Sequence, residues 1–183
     1  MRSIPNIDIY SPCDPSDVGP SLRNILINRN AAYLRLGKGG EEILDPVANQ
    51  ERIPFRLLKT GKDGVLIFSG AIGKIVLEAA ISLEKLGQIV SVVGLNCLND
   101  TSLEALVNFT KGLPTVSIEE HRLQGGIGSW LLEGFSDRKL IQPMSRVGLK
   151  PNLESAIGSR DYLLSLHGLT PNAIVQKYLD LVG

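Results

Sequence analysis

Two carboxylates and a histidine stand side by side at Glu119, Glu120 and His121. A carboxylate beside an imidazole can bring the histidine pKa into the range useful for general acid–base catalysis. The trio follows a β-branched run at residues 115–118, and neighbouring side chains on a strand point to opposite faces. The three groups therefore cannot converge while the strand continues. We interpret them as structural, and predict no catalytic residue in this chain.

A glycine cluster follows at Gly125, Gly126 and Gly128, just before an amphipathic helix. Free amides at a helix start can cradle an anion. The cluster, however, lacks both the G-x-G-x-x-G spacing and the lysine of a phosphate-binding loop. Glycine also serves where two backbones pack closely. We predict that these glycines, with the preceding acidic residues and histidine, form a packing motif at an interdomain surface.

Arg35 and Lys38 are two cations that could hold an anion. They lie on and just after a predicted strand at residues 31–36, ahead of a glycine-rich linker. Arginine holds a phosphate through two parallel hydrogen bonds, whereas lysine acts as a point charge. The alternative is two solvated cations beside a flexible linker, as most surface cations are.

Metal and nucleophilic sites have little support in the sequence. The two histidines, His121 and His167, are far apart, and Cys13 and Cys97 form no C-x-x-C pair. This spacing does not predict a zinc site. No G-x-S-x-G motif supports a serine nucleophile. Unpaired cysteines are typical of a reducing compartment, so we expect a cytoplasmic protein.

The composition excludes several classes of partner. Among 183 residues, 19 are basic, 19 are acidic and 43% are apolar, which indicates a globular core with no net charge. Nucleic-acid and membrane-surface binding are therefore not expected. No apolar run of about 18 residues, and no signal peptide, is recognisable.

Predicted strands and helices alternate along most of the chain. The strands at residues 65–68 and 89–95 are apolar on both faces, which indicates a mainly parallel sheet covered by helices. We predict a three-layer α/β sandwich with about five strands over residues 46–183. Residues 1–45 form a partial α/β segment of two strands and one helix, with the boundary near Asp45.

Helix starts can be placed by their capping residues. Asp14-Pro15 and Thr170-Pro171 each pair a capping side chain with a first-turn proline. Thr101 and Glu104 have the spacing of a capping box. Pro20 is unfavourable inside a helix, so the first helix is expected to start at Pro20 or to kink there.

Five segments, in order, resemble transketolase-type thiamine diphosphate enzymes. Residues 1–14 (M-R-S-I-P-N…P-C-D) are similar to the family's R-(A/S)-I-P-N…P-A-D, and residues 32–38 to the strand that closes its pyrimidine-binding domain. Residues 59–70 resemble the opening of its C-terminal domain. Residues 119–129 (E-E-H…G-G-I-G-S) and 162–169 complete the match.

The resemblance implies the C-terminal part of a transketolase-like enzyme, which transfers a two-carbon ketol unit between sugars. In the family an arginine near Lys38 contacts the sugar phosphate, and Arg35 matches an inner arginine of the same strand. The diphosphate-binding motif and the activating glutamate would lie upstream of Met1. We therefore expect no cofactor on this chain alone, with thiamine diphosphate and Mg²⁺ in the complete enzyme.

The implied partners are a thiamine-binding N-terminal subunit, or upstream domains, within a dimer. One alternative is a non-catalytic interaction or regulatory module with the same fold. Others are part of a 2-oxoacid dehydrogenase β subunit or of a deoxyxylulose phosphate synthase-like enzyme. Because an isolated strand pair is marginal in water, we also expect the first segment to pack on a partner chain, exchange between copies or be loosely ordered.

Overall fold

The computed structural model describes residues 1–44, 55–151 and 156–183. The first part of the chain forms a small α/β segment. Its elements are strand β1 (Ile7–Tyr10), a 3₁₀ turn (Pro15–Asp17), helix α1 (Val18–Asn28) and strand β2 (Ala31–Leu34). The predicted boundary near Asp45, between residues 1–45 and 46–183, lies outside the described residues.

The rest of the chain alternates strands and helices, as its hydrophobic pattern predicts. The strands are β3 (Arg56–Lys59), β4 (Gly64–Ser69), β5 (Val90–Gly94), β6 (Cys97–Leu98), β7 (Thr115–Arg122) and β8 (Met144–Leu149). The helices are α2 (Gly73–Lys85), α3 (Asp100–Thr110), α4 (Ile127–Asp137), α5 (Arg160–His167) and α6 (Pro171–Val182).

Five strands form the main sheet in the order β3-β5-β4-β7-β8. β4 is parallel to both β5 and β7, and β7 is parallel to β8. The edge strand β3 runs antiparallel to its neighbour. The predicted α/β fold with a five-stranded, mainly parallel sheet is confirmed.

Helices cover both faces of this sheet, because the central strands are apolar on both sides. On β4, Leu66 and Phe68 face one core with α2, α5 and α6. Val65 and Ile67 face a second core with α3 and α4. The two cores make three layers, and all four of these side chains are fully buried.

The start of α6 agrees with the sequence prediction, whereas the starts of α3 and α1 differ from it. Thr170 caps α6 by accepting a hydrogen bond from the Ala173 amide. At α3 the cap is Asn99, whose side chain accepts from the Ser102 amide, so the predicted capping box at Thr101 is wrong. Asn99 has the extended backbone that a cap requires, and Thr101 already lies inside the helix. Helix α1 begins before Pro20, which occupies its first turn, where the missing amide removes no helical hydrogen bond.

Part of the first segment is covered by a later strand of the same chain, a contact that was not predicted from the sequence. A second sheet has the order β2-β1-β6, and its third strand comes from the loop after β5. β1 pairs with β2 in parallel and with β6 in antiparallel orientation. Tyr10, at the end of β1, is fully buried in this arrangement.

A buried ion triad joins this segment to the main sheet. Arg56, on β3, is 1% exposed, and its Nη1 lies 2.7 Å from Asp14 Oδ2 and 3.3 Å from Asp17 Oδ1. The backbone amides of Cys13 and Leu44 also donate to these two carboxylates. The triad therefore fixes the segment through charge-assisted hydrogen bonds in a site without solvent.

The other side of the segment remains apolar and exposed. On α1, Leu22, Leu26 and Ile27 are 45%, 74% and 76% exposed. Such a contiguous apolar face is typical of a surface that packs against another domain.

Each helix in the described part of the chain is too short or too polar to cross a membrane.

Replacing Arg56 tests the triad. Arg56→Met leaves two carboxylates buried without their cation, so we expect a loss of about 3–5 kcal/mol in the free energy of unfolding. Denaturant unfolding measures it. The matched control is Lys59→Met on the same strand, which removes an exposed ion pair with Glu84 and should lose about 1 kcal/mol or less. Equal losses in the two variants would contradict the role of the triad.

The pH dependence of stability should carry the signature of Asp14. Burial acts to raise the pKa of Asp14, but hydrogen bonds from Ser16, the Leu44 amide and Arg56 hold it below its ordinary value of 3.8. A lowered pKa means that the carboxylate adds stability above the unfolded pKa, and that this stability disappears as the pH falls through the folded pKa. The difference in the free energy of unfolding between the unsubstituted protein and Asp14→Asn should therefore decrease below pH 3.8. A gap that stays constant on acidification would count against this assignment.

Candidate functional site

The acidic residues of the E-E-H trio diverge, because β7 continues through Arg122. Glu119 is 2% exposed and points into the structure, whereas Glu120 and His121 are more exposed. The imidazole Nδ1 lies 2.7 Å from the carbonyl oxygen of Arg122 and 4.0 Å from Glu119 Oε2. The histidine and the buried carboxylate are therefore beyond hydrogen-bond distance.

Glu119 binds the start of α4. Its Oε2 accepts a hydrogen bond from the Ile127 amide at 2.8 Å, and its Oε1 accepts one from the Gly128 amide at 3.1 Å. Amides in the first turn have no helical partner and carry the positive end of the helix dipole, so a carboxylate is favoured there. Burial raises the pKa of Glu119, while these two amides act in the opposite direction.

The glycines allow this close approach. A side chain at Gly126 would overlap the Glu119 carboxylate. A side chain at Gly128 would overlap Ser117 on β7 and the aliphatic part of Arg146 on β8. Gly125 has open space around it but a φ of +76°, a conformation that favours glycine. The Gly128 amide, with that of Ile127, is thus directed at a protein carboxylate, whereas the Gly125 amide donates to Ser129 Oγ.

The N-terminal residues contact the same loop. Arg2 Nη2 donates to Glu133 on α4 at 2.8 Å, and Arg2 Nε donates to the Gly125 carbonyl at 3.2 Å. A cavity of about 220 Å³ lies between this segment and the ends of β4 and β7. Arg35, Ser69 and His121 are among its lining residues.

A larger cavity of about 580 Å³ adjoins the first and brings the two predicted anion-binding residues together. Arg35 and Lys38 both line it, and both are exposed. The Arg35 amide donates to the Tyr10 carbonyl at 2.8 Å, and Arg35 Nη2 donates to the Glu120 carbonyl at 3.2 Å. Arg35 is therefore anchored, whereas Lys38 donates to no residue that the structure describes.

A third cation lines this cavity and was not identified from the sequence. Arg160 Nη2 donates to Glu120 Oε2 at 2.7 Å and to the Ala71 carbonyl at 2.9 Å. Arg160 is the first residue of α5, where the helix dipole disfavours a cation. This unfavourable position could have pointed to Arg160 in the sequence, but the residue stands in no recognisable motif.

These donor groups do not fit Mg²⁺. Mg²⁺ takes oxygen ligands in near-octahedral geometry. Within residues 1–44, 55–151 and 156–183, no group of three or more histidine, cysteine, aspartate or glutamate side chains is placed to hold a metal ion. The cavity instead presents cations, which suit a ligand that is itself anionic.

Sequence comparison identifies the family. The family model for the transketolase C-terminal domain matches residues 55–174. This range contains all five strands of the main sheet. The chain belongs to the transketolase C-terminal domain family. This finding confirms the resemblance that the sequence motifs indicate.

Relatives extend the similarity into the first segment. The chain is 28% identical over 185 residues to a subunit of the apulose-4-phosphate transketolase of Actinobacillus succinogenes, covering 99% of this chain and 59% of that protein. It is also 28% identical over 189 residues to 1-deoxy-D-xylulose-5-phosphate synthase of Shouchella clausii, covering 100% of this chain and 30% of that protein. The transketolase-family chain thus spans less than two thirds of the length of these relatives.

Solved structures share the fold. A structure described as a split gene transketolase, inactive β4 tetramer, superposes with a TM-score of 0.83 at 27% identity, over 100% of this chain and 59% of that one. Transketolase from Campylobacter jejuni has a TM-score of 0.68 at 17% identity, over 98% of this chain and 27% of that one.

The Glu119 contacts to α4 can be tested by isosteric replacement. Glu119→Gln exchanges one acceptor for an NH₂ group, which leaves one of the two helix amides without a partner. We expect a loss of about 1–3 kcal/mol in stability and faster hydrogen exchange at the Ile127 and Gly128 amides. Glu120→Gln is the matched control and should leave the exchange of both amides unchanged. Unaltered exchange in Glu119→Gln would refute the capping role.

Proposed function

We propose that these residues form the C-terminal part of a transketolase-type transferase that moves a two-carbon ketol unit between sugars. In this proposal residues 46–183 are the C-terminal domain, and residues 1–45 are the end of the pyrimidine-binding domain with its linker. The part contributes scaffold and one wall of a substrate channel, and it does not contribute the thiamine site. The observation that carries the proposal is the cationic cavity between the two parts.

The cavity supports an anionic substrate. Arg35 and Lys38 come from the strand-to-linker region, and Arg35 is held in place by backbone contacts to Tyr10 and Glu120. Two relatives are named for sugar phosphates, apulose 4-phosphate and 1-deoxy-D-xylulose 5-phosphate. We propose that Arg35 and Lys38 bind the phosphate of such a substrate, with the arginine providing the direction and the lysine additional charge.

The motif after β7 has a different role in this proposal. Glu119, Gly126 and Gly128 fix α4 against the sheet, and Glu120 and His121 lie at the surface that meets the first segment. Arg2 reaches this surface from the N-terminal side and binds both the glycine loop and α4. We propose that the motif fixes the position of the two parts relative to each other and has no direct role in the chemistry.

The reacting cofactor of the complete enzyme is thiamine diphosphate with Mg²⁺, which supplies the carbanion that carries the ketol unit. The described side chains offer no group of ligands for the Mg²⁺, and the proposal places the cofactor on a thiamine-binding subunit or domain. The proposed assembly is a dimer of such units. The exposed apolar face of α1 supports a contact with that partner. Cys13 and Cys97 are free and buried, which supports a reducing, cytoplasmic location.

Ketol transfer by the 183-residue protein, alone and mixed, tests the proposal. Assays contain thiamine diphosphate, Mg²⁺, a ketose phosphate donor and an aldose phosphate acceptor. We expect no turnover from the 183-residue protein alone. Turnover should appear when it is mixed with the neighbouring gene product that carries the thiamine-binding motifs, and native mass spectrometry should detect a mixed complex.

Two outcomes contradict the proposal. Robust turnover by the 183-residue protein alone would place the thiamine site on these residues. A lone monomer or homodimer that forms no mixed complex and gains no activity would favour the non-catalytic interaction module.

A further inference from the structure

Arg160 is held in a way that leaves part of its guanidinium available. Within the described part of the chain, Nη2 alone donates hydrogen bonds, to Glu120 Oε2 and to the Ala71 carbonyl. Nε and Nη1 donate to no described residue, and the side chain is 46% exposed. Both two-donor edges of a guanidinium include Nη2, so Arg160 keeps Nε and Nη1 as separate donors together with its charge, and each can give a charge-assisted hydrogen bond to a phosphate oxygen.

Glu120 connects this group to the first segment. Its carboxylate binds Arg160, while its backbone carbonyl accepts from Arg35 Nη2. Arg35 Nε and Nη1, like those of Arg160, donate to no described residue. One residue at the end of β7 thus holds two guanidinium groups that come from positions 125 residues apart in the sequence.

The charged residues of the cavity favour an anion. Arg35, Lys38 and Arg160 line it together with two carboxylates, Glu41 and Glu120. The Glu120 carboxylate is already engaged by Arg160, and Glu41 lies against the Gly37 backbone. The volume of about 580 Å³ exceeds that of a phosphate group and falls within the usual range for small-molecule sites.

We propose that Arg160 is a third phosphate-binding residue, by which the C-terminal domain itself selects a phosphorylated substrate. The phosphate group of a small sugar phosphate accepts hydrogen bonds from the free donors of Arg35 and Arg160, with Lys38 adding charge. Glu120 is a positioning residue that holds both guanidinium groups. This inference rests on the anion site of the proposed function and extends it to a residue outside the first segment.

The placement of Arg160 at the start of α5 supports a binding role. A cation in a first helical turn is slightly disfavoured at an exposed site. The partly exposed pair with Glu120 contributes about the same amount, so the two effects roughly cancel. Stability alone therefore gives little reason for an arginine at this position.

Phosphate binding to the full 183-residue protein tests the inference without any assay of activity. Inorganic phosphate and glycerol 3-phosphate are titrated at constant ionic strength, with glycerol as the uncharged comparison, and affinity is measured by calorimetry. We expect Arg160→Gln to weaken phosphate binding about tenfold, the effect of one lost charge-assisted contact of about 1.4 kcal/mol. Arg160→Lys should recover part of the affinity, because it restores the charge without the fixed position of the guanidinium.

The matched control is Arg138→Gln. Arg138 follows α4, donates to the Gly134 carbonyl and lies outside this cavity, so the same change of charge should leave affinity within about twofold. Glu120→Gln should weaken binding, because it releases the Arg160 guanidinium. Thermal unfolding of each variant verifies that the fold is retained.

The outcomes separate this inference from the proposed function. Suppose that Arg35→Gln weakens phosphate binding, whereas Arg160→Gln has no larger effect on the affinity than Arg138→Gln. The anion site of the first segment is then supported, and the role of Arg160 is overturned. If the protein binds no phosphate, both anion assignments are overturned. If Arg160→Gln weakens binding while the mixed enzyme shows no ketol transfer, the role of Arg160 is supported and the proposed reaction is not.

Discussion

The structure depends on the buried contact of Arg56 with Asp14 and Asp17. Arg56 lies on the antiparallel edge strand of the main sheet, and the two carboxylates come from the turn after β1. Removing three charges from water is unfavourable unless each is closely paired, so the contact tolerates little displacement. It therefore sets the position of the first segment relative to the sheet more strictly than an apolar contact of the same size.

The candidate site follows from that position. Because the triad and β6 hold β1, the parallel strand β2 lies beside β1 and ends near the carboxyl edge of β7. Arg35, one residue past β2, then reaches the Glu120 carbonyl, and the linker that carries Lys38 encloses the cavity. The binding surface is thus shared between two regions, and neither region provides it alone. Ligands of α/β sheets commonly bind at such a carboxyl edge.

The sequence predicted the parts of the structure that depend on local pattern. Strands β4 and β5 were recognisable because they are apolar on both faces, and the Thr170 cap was recognisable from the proline that follows it. The strand β7 was predicted to end at Ile118, because polar residues follow, yet it continues to Arg122. There Glu119 contacts the start of α4 and Glu120 contacts Arg35 and Arg160, while His121 and Arg122 are exposed.

Long-range contacts could not be predicted in this way. Nothing in the sequence near Arg56 indicates that its partners lie about 40 residues earlier, and Arg160 stands in no motif. The role of Glu119 as a helix cap also joins two elements that periodicity treats separately. Arg35 and Lys38 were identified because a family resemblance added information that spacing alone does not contain.

Native-state hydrogen exchange of the 183-residue protein tests most directly whether the first segment folds as one unit with the main sheet. We predict that the amides of β1 and of β4 exchange through the same opening, with similar free energies that change together with denaturant. Exchange of β1 amides at the rate of an unfolded peptide, while β4 amides stay protected, would contradict a single folding unit.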